Sequence, residues 1–257
     1  MIHPQAVVDP SAELADDVTV GPFTVIGPKV QIDAGTEIAS HVVINGPTTI
    51  GKRNRIFQFT SLGEEPQDKK FRPDHDVRLE IGDDNLIREY CTFNRGTVTG
   101  GGVTRIGHRN WIMAYVHIAH DCIVGNDTIF ANAASLAGHV EIEDQAILGG
   151  FSLIHQFCRV GRNAFTSMGS MINRDVPPYV TVAGRMSTPR GINSEGLRRH
   201  GFDTDRIAAV KNAYRVLYKS GAPLAEAVTQ LEALAEDNED VEPLVSFIKK
   251  STRSIIR

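Results

Sequence analysis

The sequence predicts an all-β solenoid, a parallel β-helix of hexapeptide repeats, followed by a C-terminal α-helical domain. Three observations predict it. First, apolar residues recur every six positions, from Ile2, Val8, Leu14, Val20 and Ile26 through to Ile56 and Leu62. Second, the residue four after the apolar one is small or β-branched, as at Ala12, Thr24, Thr36, Val42, Ala134 and Ser152. Third, the period changes from six to a helical one after Ser194. A period of six is too short for a helical solenoid and matches the hexapeptide β-helix. Each hexad supplies one short strand and one corner, and three hexads close a coil of about eighteen residues.

The first domain spans residues 1–190. Its register resumes at Ile81, Ile87 and Phe93, and again from Ile106 through Ile118, Val124, Leu136, Ile154 and Val160. Thr166 breaks the apolar rule and Ile172 restores it. The residue after the apolar one is often glycine (Gly21, Gly27, Gly51, Gly63, Gly82, Gly107, Gly125, Gly149, Gly161), which is expected to serve corners with positive φ. Cys91, Cys122 and Cys158 all occupy the small fourth position and read as core residues. Two stretches leave the register: polar residues 63–80, "GEEPQDKKFRPDHDVRLE", and glycine-rich residues 94–105, "NRGTVTGGGVTR". Both read as loops ejected from a corner, either surface decoration or part of a binding face. The repeat ends near "DVPPYV". In the second domain, residues 191–257, "TDRIAAVKNAYRVLYKSG" has helical periodicity with Gly221 as its stop. These helices are expected to cap the open end of the solenoid or contact a partner.

Composition excludes several classes. Among 257 residues, a net charge of −4 offers no basic field for nucleic acid. No apolar run reaches the length of a membrane span. The N-terminus "MIHPQAVVDP" has no secretory leader pattern, so a cytoplasmic location is expected. Three cysteines without metal spacing form no disulfide framework.

Residues eighteen apart lie one above another. His120 therefore stacks on Gly138, beside His139, and then on Gln156, beside His155. "HIAHD", "AGHV" and "IHQF" form one outward edge. Solvated surface histidines are one reading. A zinc site is another, since histidine is a common ligand, but the H-x-x-H spacing of His117 and His120 differs from that of the zinc-binding gamma-class carbonic anhydrases, so no metal is expected. The third reading is acid–base work: a histidine titrates near neutrality, an adjacent aspartate holds its tautomer, and an acyl acceptor hydroxyl needs a base.

The hexads resemble the left-handed β-helix of the hexapeptide acyltransferase superfamily. "HIAHDCIVGN", "HVVINGPTTIG", "IREYCTFNRGT", "LAGHVEI", "HQFCRVG", "DVPPYV" and "INSEGLRRHGF" together resemble the UDP-N-acetylglucosamine acyltransferases of lipid A synthesis along essentially the whole chain. The resemblance implies transfer of an (R)-3-hydroxyacyl group from the phosphopantetheine of acyl carrier protein to the 3-hydroxyl of UDP-N-acetylglucosamine, with no metal or other cofactor. It implies His120 as general base, Asp121 as its orienter and the Gly138 amide as oxyanion donor. His117 and His139 would position sugar and thioester, and Asp68 and Lys70 of the first loop would contact substrate. His155 and Gln156 would come from an adjoining subunit, and Asn193, Glu195 and Arg199 would hold the nucleotide.

One departure stands out: the family carries a second arginine where this chain has His200, which would make a shorter, pH-dependent phosphate contact. Groups stacked on an outer edge need an opposing wall to exclude water, and a three-sided prism suits a three-fold axis, so a homotrimer is expected; the resemblance adds active sites between subunits and an acyl groove floored by Met168, with Met186 nearby. Methionine there implies a tail of about ten carbons, because about four extra methylenes at ~0.8 kcal/mol each would be shut out. Arg198, Arg206, Lys211 and Arg215 are candidates for docking the acidic carrier protein. A later-acting N-acyltransferase of the same superfamily carries an extra N-terminal domain, whereas Ile2 here already sits in the repeat. A non-catalytic scaffold would leave the histidine edge and "NSEGLRRHGF" unexplained.

Overall fold

The computed structural model describes residues 1–257 and is a left-handed parallel β-helix closed by four helices. Most strands are two residues long, because each hexad leaves only that much chain between corners. Three parallel sheets form the prism walls. Sheet 1 runs from Val7–Val8 to Met171–Ile172, sheet 2 from Glu13–Leu14 to Arg159–Val160, and sheet 3 from Thr19–Val20 to Val180–Ala183. Thr188–Ile192 pairs antiparallel with that last strand and ends the sheet. Register advances by one coil at each step: Val7 pairs with Val25, Ile118 with Leu136, and Leu136 with Ile154.

The apolar slot points inward throughout. Ile44, Leu62, Phe93, Ile118 and Leu136 are fully buried in one continuous core of 39 residues. Small residues at the fourth position close each corner from inside. Thr24 Oγ1 donates to the Ala39 carbonyl at 2.7 Å, Thr36 to Gly51 at 2.9 Å and Cys122 Sγ to Ala137 at 3.2 Å. Burial pushes the Cys91 and Cys122 thiols up to about 12 and the Cys158 thiol up to about 11, as inert core groups require. Thr166 fills its inward slot as a polar residue by pairing its hydroxyl with Ser152 Oγ at 2.7 Å.

The expected reason for the corner glycines is corrected. Of the nine, only Gly63 has a positive φ, at +73°. The left-handed residue of each corner is instead the third after the apolar slot, and it is usually not glycine: Phe23, Arg53, Tyr115, Asp121 and His139 all lie near φ +60°. The glycines are needed because the next coil comes too close. A Cβ on Gly21 would sit 2.7 Å from Ala39 C and Ser40 N, both backbone atoms that cannot give way.

The three edges of the prism differ in character. The edge from sheet 3 to sheet 1 carries an exposed ladder, Phe23, His41, Phe59, Tyr90 and Tyr115, with successive ring centroids 4.9–5.3 Å apart. The edge from sheet 2 to sheet 3 carries ion pairs, Arg53 with Asp84 and Arg109 with Asp127, each at 2.7 Å. The edge from sheet 1 to sheet 2 carries both long connections, Glu64 to Arg78 and Asn94 to Val103. Sheet 3 presents Leu86, Trp111, Ile129, Ile147 and Phe165 on its outer face, where Trp111 is half exposed.

The helical segment comprises α1 (Ser194–Arg199), α2 (Thr204–Lys219), α3 (Leu224–Asp237) and α4 (Glu242–Lys250). Asn193 and Asp203 cap α1 and α2 by accepting from Gly196 N and Arg206 N. Gly221, at φ +75°, turns the chain after α2. Helices α2, α3 and α4 share a second buried cluster, while Tyr214 and Ile256 join the prism core and close its end. Asp175 anchors this closure: its carbonyl accepts from Ile256 N at 2.8 Å and its carboxylate from Ser251 Oγ at 2.7 Å. No helix is long and apolar enough to cross a membrane. The corner argument predicts that Gly21→Ala, far from the histidine edge, destabilises the protein by about 1–3 kcal/mol through overpacking. Thermal melting checks this, and the melting temperature should fall.

Candidate active site

Both loops leave the prism at the edge where the histidines stack. His117 opens a sheet 1 strand, facing outward, and its Nδ1 lies 2.8 Å from Thr92 Oγ1 on the preceding coil. The chain then turns through Ala119, His120 and Asp121. Asp121 adopts the left-handed corner conformation at φ +61°, one that aspartate tolerates better than most residues. That places its carboxylate under the second loop, where its side chain is 1% exposed.

His120 Nδ1 is 2.7 Å from Asp121 Oδ2. A carboxylate only accepts, so Nδ1 carries the proton and Nε2 is left as the acceptor. Asp121 Oδ1 accepts from Thr97 N at 2.7 Å, and Oδ2 accepts from Thr97 Oγ1 at 2.6 Å. The Asp121 N–H in turn donates to Thr104 Oγ1 at 2.8 Å. Burial raises the Asp121 pKa, but the hydrogen bonds from His120 and Thr97, with His139 nearby, outweigh it and hold the carboxyl below its usual range. Asp121 is therefore a carboxylate at neutral pH.

The next coil supplies the floor. Gly138 lies beneath the His120 ring, and a Cβ there would fall 2.5 Å from Cε1. The Gly138 N–H finds no acceptor in the chain. His139 meets His120 edge-on with centroids 5.2 Å apart, and one coil further Phe157 stacks on His139 at 4.5 Å. His139 Nε2 stands 3.6 Å from Asp121 Oδ2. Burial lowers the pKa of His117 and of His139, so both stay neutral at pH 7.

His120, Asp121 and His139 offer three ligand atoms within 4.8 Å of one another. Two histidines and a carboxylate suit zinc by type. Both Asp121 oxygens already accept from Thr97, however, and Nδ1 of His120 is spent on the same carboxylate. His120 and Asp121 form a hydrogen-bonded dyad, in which Nε2 of His120 is the ring nitrogen left unbonded.

The remaining residues singled out by sequence divide into three groups. Asp68 faces His139 closely enough to act on its charge, and its carboxylate accepts from Lys70 N at 3.0 Å. The first loop is fastened to the second, since Asn94 Nδ2 donates to the Glu65 carbonyl and Arg95 lies over Phe71. His155 and Gln156 are exposed on the same edge as His120, two coils on. Asn193, Glu195, Arg199 and His200 lie elsewhere: Asn193 Nδ2 donates to the Asn163 carbonyl at 3.0 Å and His200 Nδ1 pairs with Asn163 Oδ1 at 2.6 Å. Asn163 is a corner between sheets 2 and 3, so this group sits on a different edge from the dyad. Only Nε2 of His200 is left to meet a ligand. Glu195 pairs with Arg199 and Arg198 along α1.

Two further expectations change. Met168 has the same place in its hexad as His120, but its slot residue Thr166 belongs to sheet 3, so it lies on the aromatic edge, 78% exposed. Phase within the hexad does not fix the edge. Met186 lines an apolar hollow of about 200 Å³ with Leu153, His155 and Met171 on sheet 1. Arg206 is no free docking cation: it forms a bidentate pair with Asp240 and stacks on Phe202. Sequence reasoning missed Thr97, Thr104, Gly100 and Phe157; the "GGG" of the second loop was the one visible signal.

A proton NMR titration of the imidazole Cε1 protons should show His117 and His139 taking up protons only below the ordinary histidine range, the direction that burial dictates. Midpoints at or above that range would contradict the buried geometry.

Comparison with known proteins bears on the family and the fold. A model described as UDP N-acetylglucosamine O-acyltransferase, domain 2, matches residues 175–256, and a bacterial transferase hexapeptide model matches 11–46 and 103–138. The acyl-[acyl-carrier-protein]--UDP-N-acetylglucosamine O-acyltransferase of Alkalilimnicola ehrlichii is 61% identical over 256 residues, covering 100% of this chain and 99% of its own. That of Thiobacillus denitrificans is 59% identical with the same coverage. The solved UDP-N-acetylglucosamine acyltransferase of Francisella novicida superposes with a TM-score of 0.98 at 45% identity, over 100% of this chain and 94% of that one. By sequence and by fold, the chain belongs to the UDP-N-acetylglucosamine O-acyltransferase family and is an acyltransferase.

Proposed function

We propose that the protein transfers an (R)-3-hydroxyacyl group from acyl carrier protein to the 3-hydroxyl of UDP-N-acetylglucosamine, the first step of lipid A biosynthesis, with His120 as general base. The observation that carries the reading is the open Nε2 of His120, held by Asp121 at 2.7 Å beside the unpartnered Gly138 amide. Nε2 takes the proton of the sugar hydroxyl as its oxygen attacks the thioester carbonyl. The oxyanion then accepts from Gly138 N–H. Collapse expels the phosphopantetheine thiolate, which takes the proton back from the imidazolium. Asp121 stabilises that imidazolium without being protonated. A positioned base contributes roughly 10²–10⁴-fold and an oxyanion donor roughly 10²–10³-fold. The proposal needs no metal and no cofactor beyond the donor's own phosphopantetheine.

The proposed assembly is a homotrimer working in the cytoplasm. Two features support it. The nucleotide group Asn193, Glu195, Arg199 and His200 lies on a different edge from the dyad, so one chain alone would not bring them to one substrate. An exposed aromatic ladder, with Phe23, Phe59 and Tyr115 each about half exposed, also asks for a covering surface. In a trimer, His155 and Gln156 would reach the neighbour's site, while His117, His139, Asp68 and Lys70 would position sugar and thioester.

His120→Ala should keep the fold, because the side chain lies outside the core, and should lower kcat by at least roughly a hundredfold. The assay uses acyl carrier protein thioester and UDP-N-acetylglucosamine. Co-expression of His120→Ala with Arg199→Ala should restore activity that neither variant shows alone. A parent-like His120→Ala enzyme would end the general-base reading.

The acyl tail is the finer question. We propose a preference for about ten carbons over about fourteen, because Met168, brought from its aromatic edge to a neighbouring subunit's site in the trimer, would exclude about four methylenes worth about 3 kcal/mol in all. Met186 and its apolar hollow would line the same groove. Comparing kcat/KM for both donors in the parent and in Met168→Gly checks it. The glycine variant should gain on the longer donor; an unchanged ratio would release Met168 from the role.

A further inference from the structure

We infer that Thr97, in the second ejected loop, is the positioning residue that sets how Asp121 holds His120. The inference rests on the general-base reading above and extends it to a residue that touches no substrate.

Thr97 is buried, at 3% exposure, and gives Asp121 two donors at once, its N–H to Oδ1 and its Oγ1–H to Oδ2. No other residue bonds both oxygens of that carboxylate. The same hydroxyl accepts from Gly100 N at 3.2 Å, so the donor is itself oriented by the short turn Val98–Gly100 that follows it. The turn lies flat on the carboxylate, since a Cβ on Gly100 would fall within 2.1–2.4 Å of the Asp121 carboxyl atoms. From the other side, Thr104 Oγ1 accepts the Asp121 N–H. Residues at both ends of the loop thus grip one corner residue.

This grip does two things. It fixes the plane of the carboxylate, so that Oδ2 faces His120 at 2.7 Å rather than His139 at 3.6 Å. Two histidines compete for one oxygen, and Thr97 decides between them. It also draws charge from the carboxylate. An acceptor that already takes two short hydrogen bonds stabilises an adjacent imidazolium less than a bare one. Removing the Thr97 hydroxyl would therefore strengthen the pull of Asp121 on an imidazolium at His120.

The other groups facing the dyad are His117 on the strand before it, His139 on the next coil and Asp68 on the first loop. Glu141, Arg159 and Lys250 line the adjoining cavity. None of them bonds an Asp121 oxygen as Thr97 does, and all are unchanged in the variants below.

The test compares Thr97→Val, which keeps the shape and the backbone donor, with Thr97→Ser, which keeps both donors. In Thr97→Val, kcat should fall roughly tenfold, the low end for a lost hydrogen bond to a charged group. KM for both substrates should not change, and the acid limb of the kcat profile should move to higher pH. Thr97→Ser should restore the parent's rate and profile. An acid limb that stays put or moves to lower pH in Thr97→Val would overturn the inference, as would a Thr97→Ser enzyme as impaired as the valine variant. If Thr97→Val does not fold, by melting temperature, Thr97→Ala is measured against the same outcomes. His120→Ala serves as the control: if it is active, the general-base reading itself fails; if it is inactive while the Thr97 profile is unmoved, only the present inference fails.

Discussion

Every position in this molecule is defined by what lies one coil away. A strand of two residues cannot hold itself, and its hydrogen bonds all go to the coils before and after it. The inward column of isoleucine, leucine and valine, the corner threonines bonding across coils and the cramped glycines are all consequences of that single stacking register. Shifting the register by one residue would turn the apolar column outward and bring side chains onto backbone at Gly21 and its counterparts.

The site uses the same register for chemistry. Stacking puts Gly138 under the His120 ring, His139 against its edge and Phe157 against His139, with no element dedicated to holding any of them. What stacking cannot do is bury a carboxylate on an outer edge, because the prism's outside is wet. The two loops solve that problem. They leave the coil at the same edge and are bonded to each other through Asn94 and Glu65, and the second of them covers Asp121. The interruptions in the repeat are thus where the solenoid acquires a sheltered interior on its surface.

The contrast between periodic and aperiodic chain also explains what could be read from sequence. The prism and its inward residues were legible because each hexad repeats the same statement, and the alignment of His120, Gly138 and Gln156 followed from counting eighteens. Thr97 was not legible, because a loop outside the register has no counterpart from which its contacts can be inferred. Met168 shows a subtler limit. Its place in the hexad was right, but three walls share one hexad pattern, and only a running count of walls separates the edge of Met168 from that of His120. The corner glycines show another: their spacing was visible, whereas the cause, a neighbouring backbone 2.7 Å from a hypothetical Cβ at Gly21, exists only once coils are stacked.

Trp111 is the single tryptophan of the chain, and the coil geometry leaves it half exposed on the outer face of sheet 3, among Leu86, Ile129, Ile147 and Phe165. Its indole is therefore an intrinsic optical probe of that wall. Emission from this one fluorophore reports whether solvent or another surface lies against sheet 3, while the interior of the prism stays optically silent to it. The molecule carries a built-in gauge of whatever lies against that wall, positioned by the same six-residue rhythm that aims His120 at the opposite wall's edge.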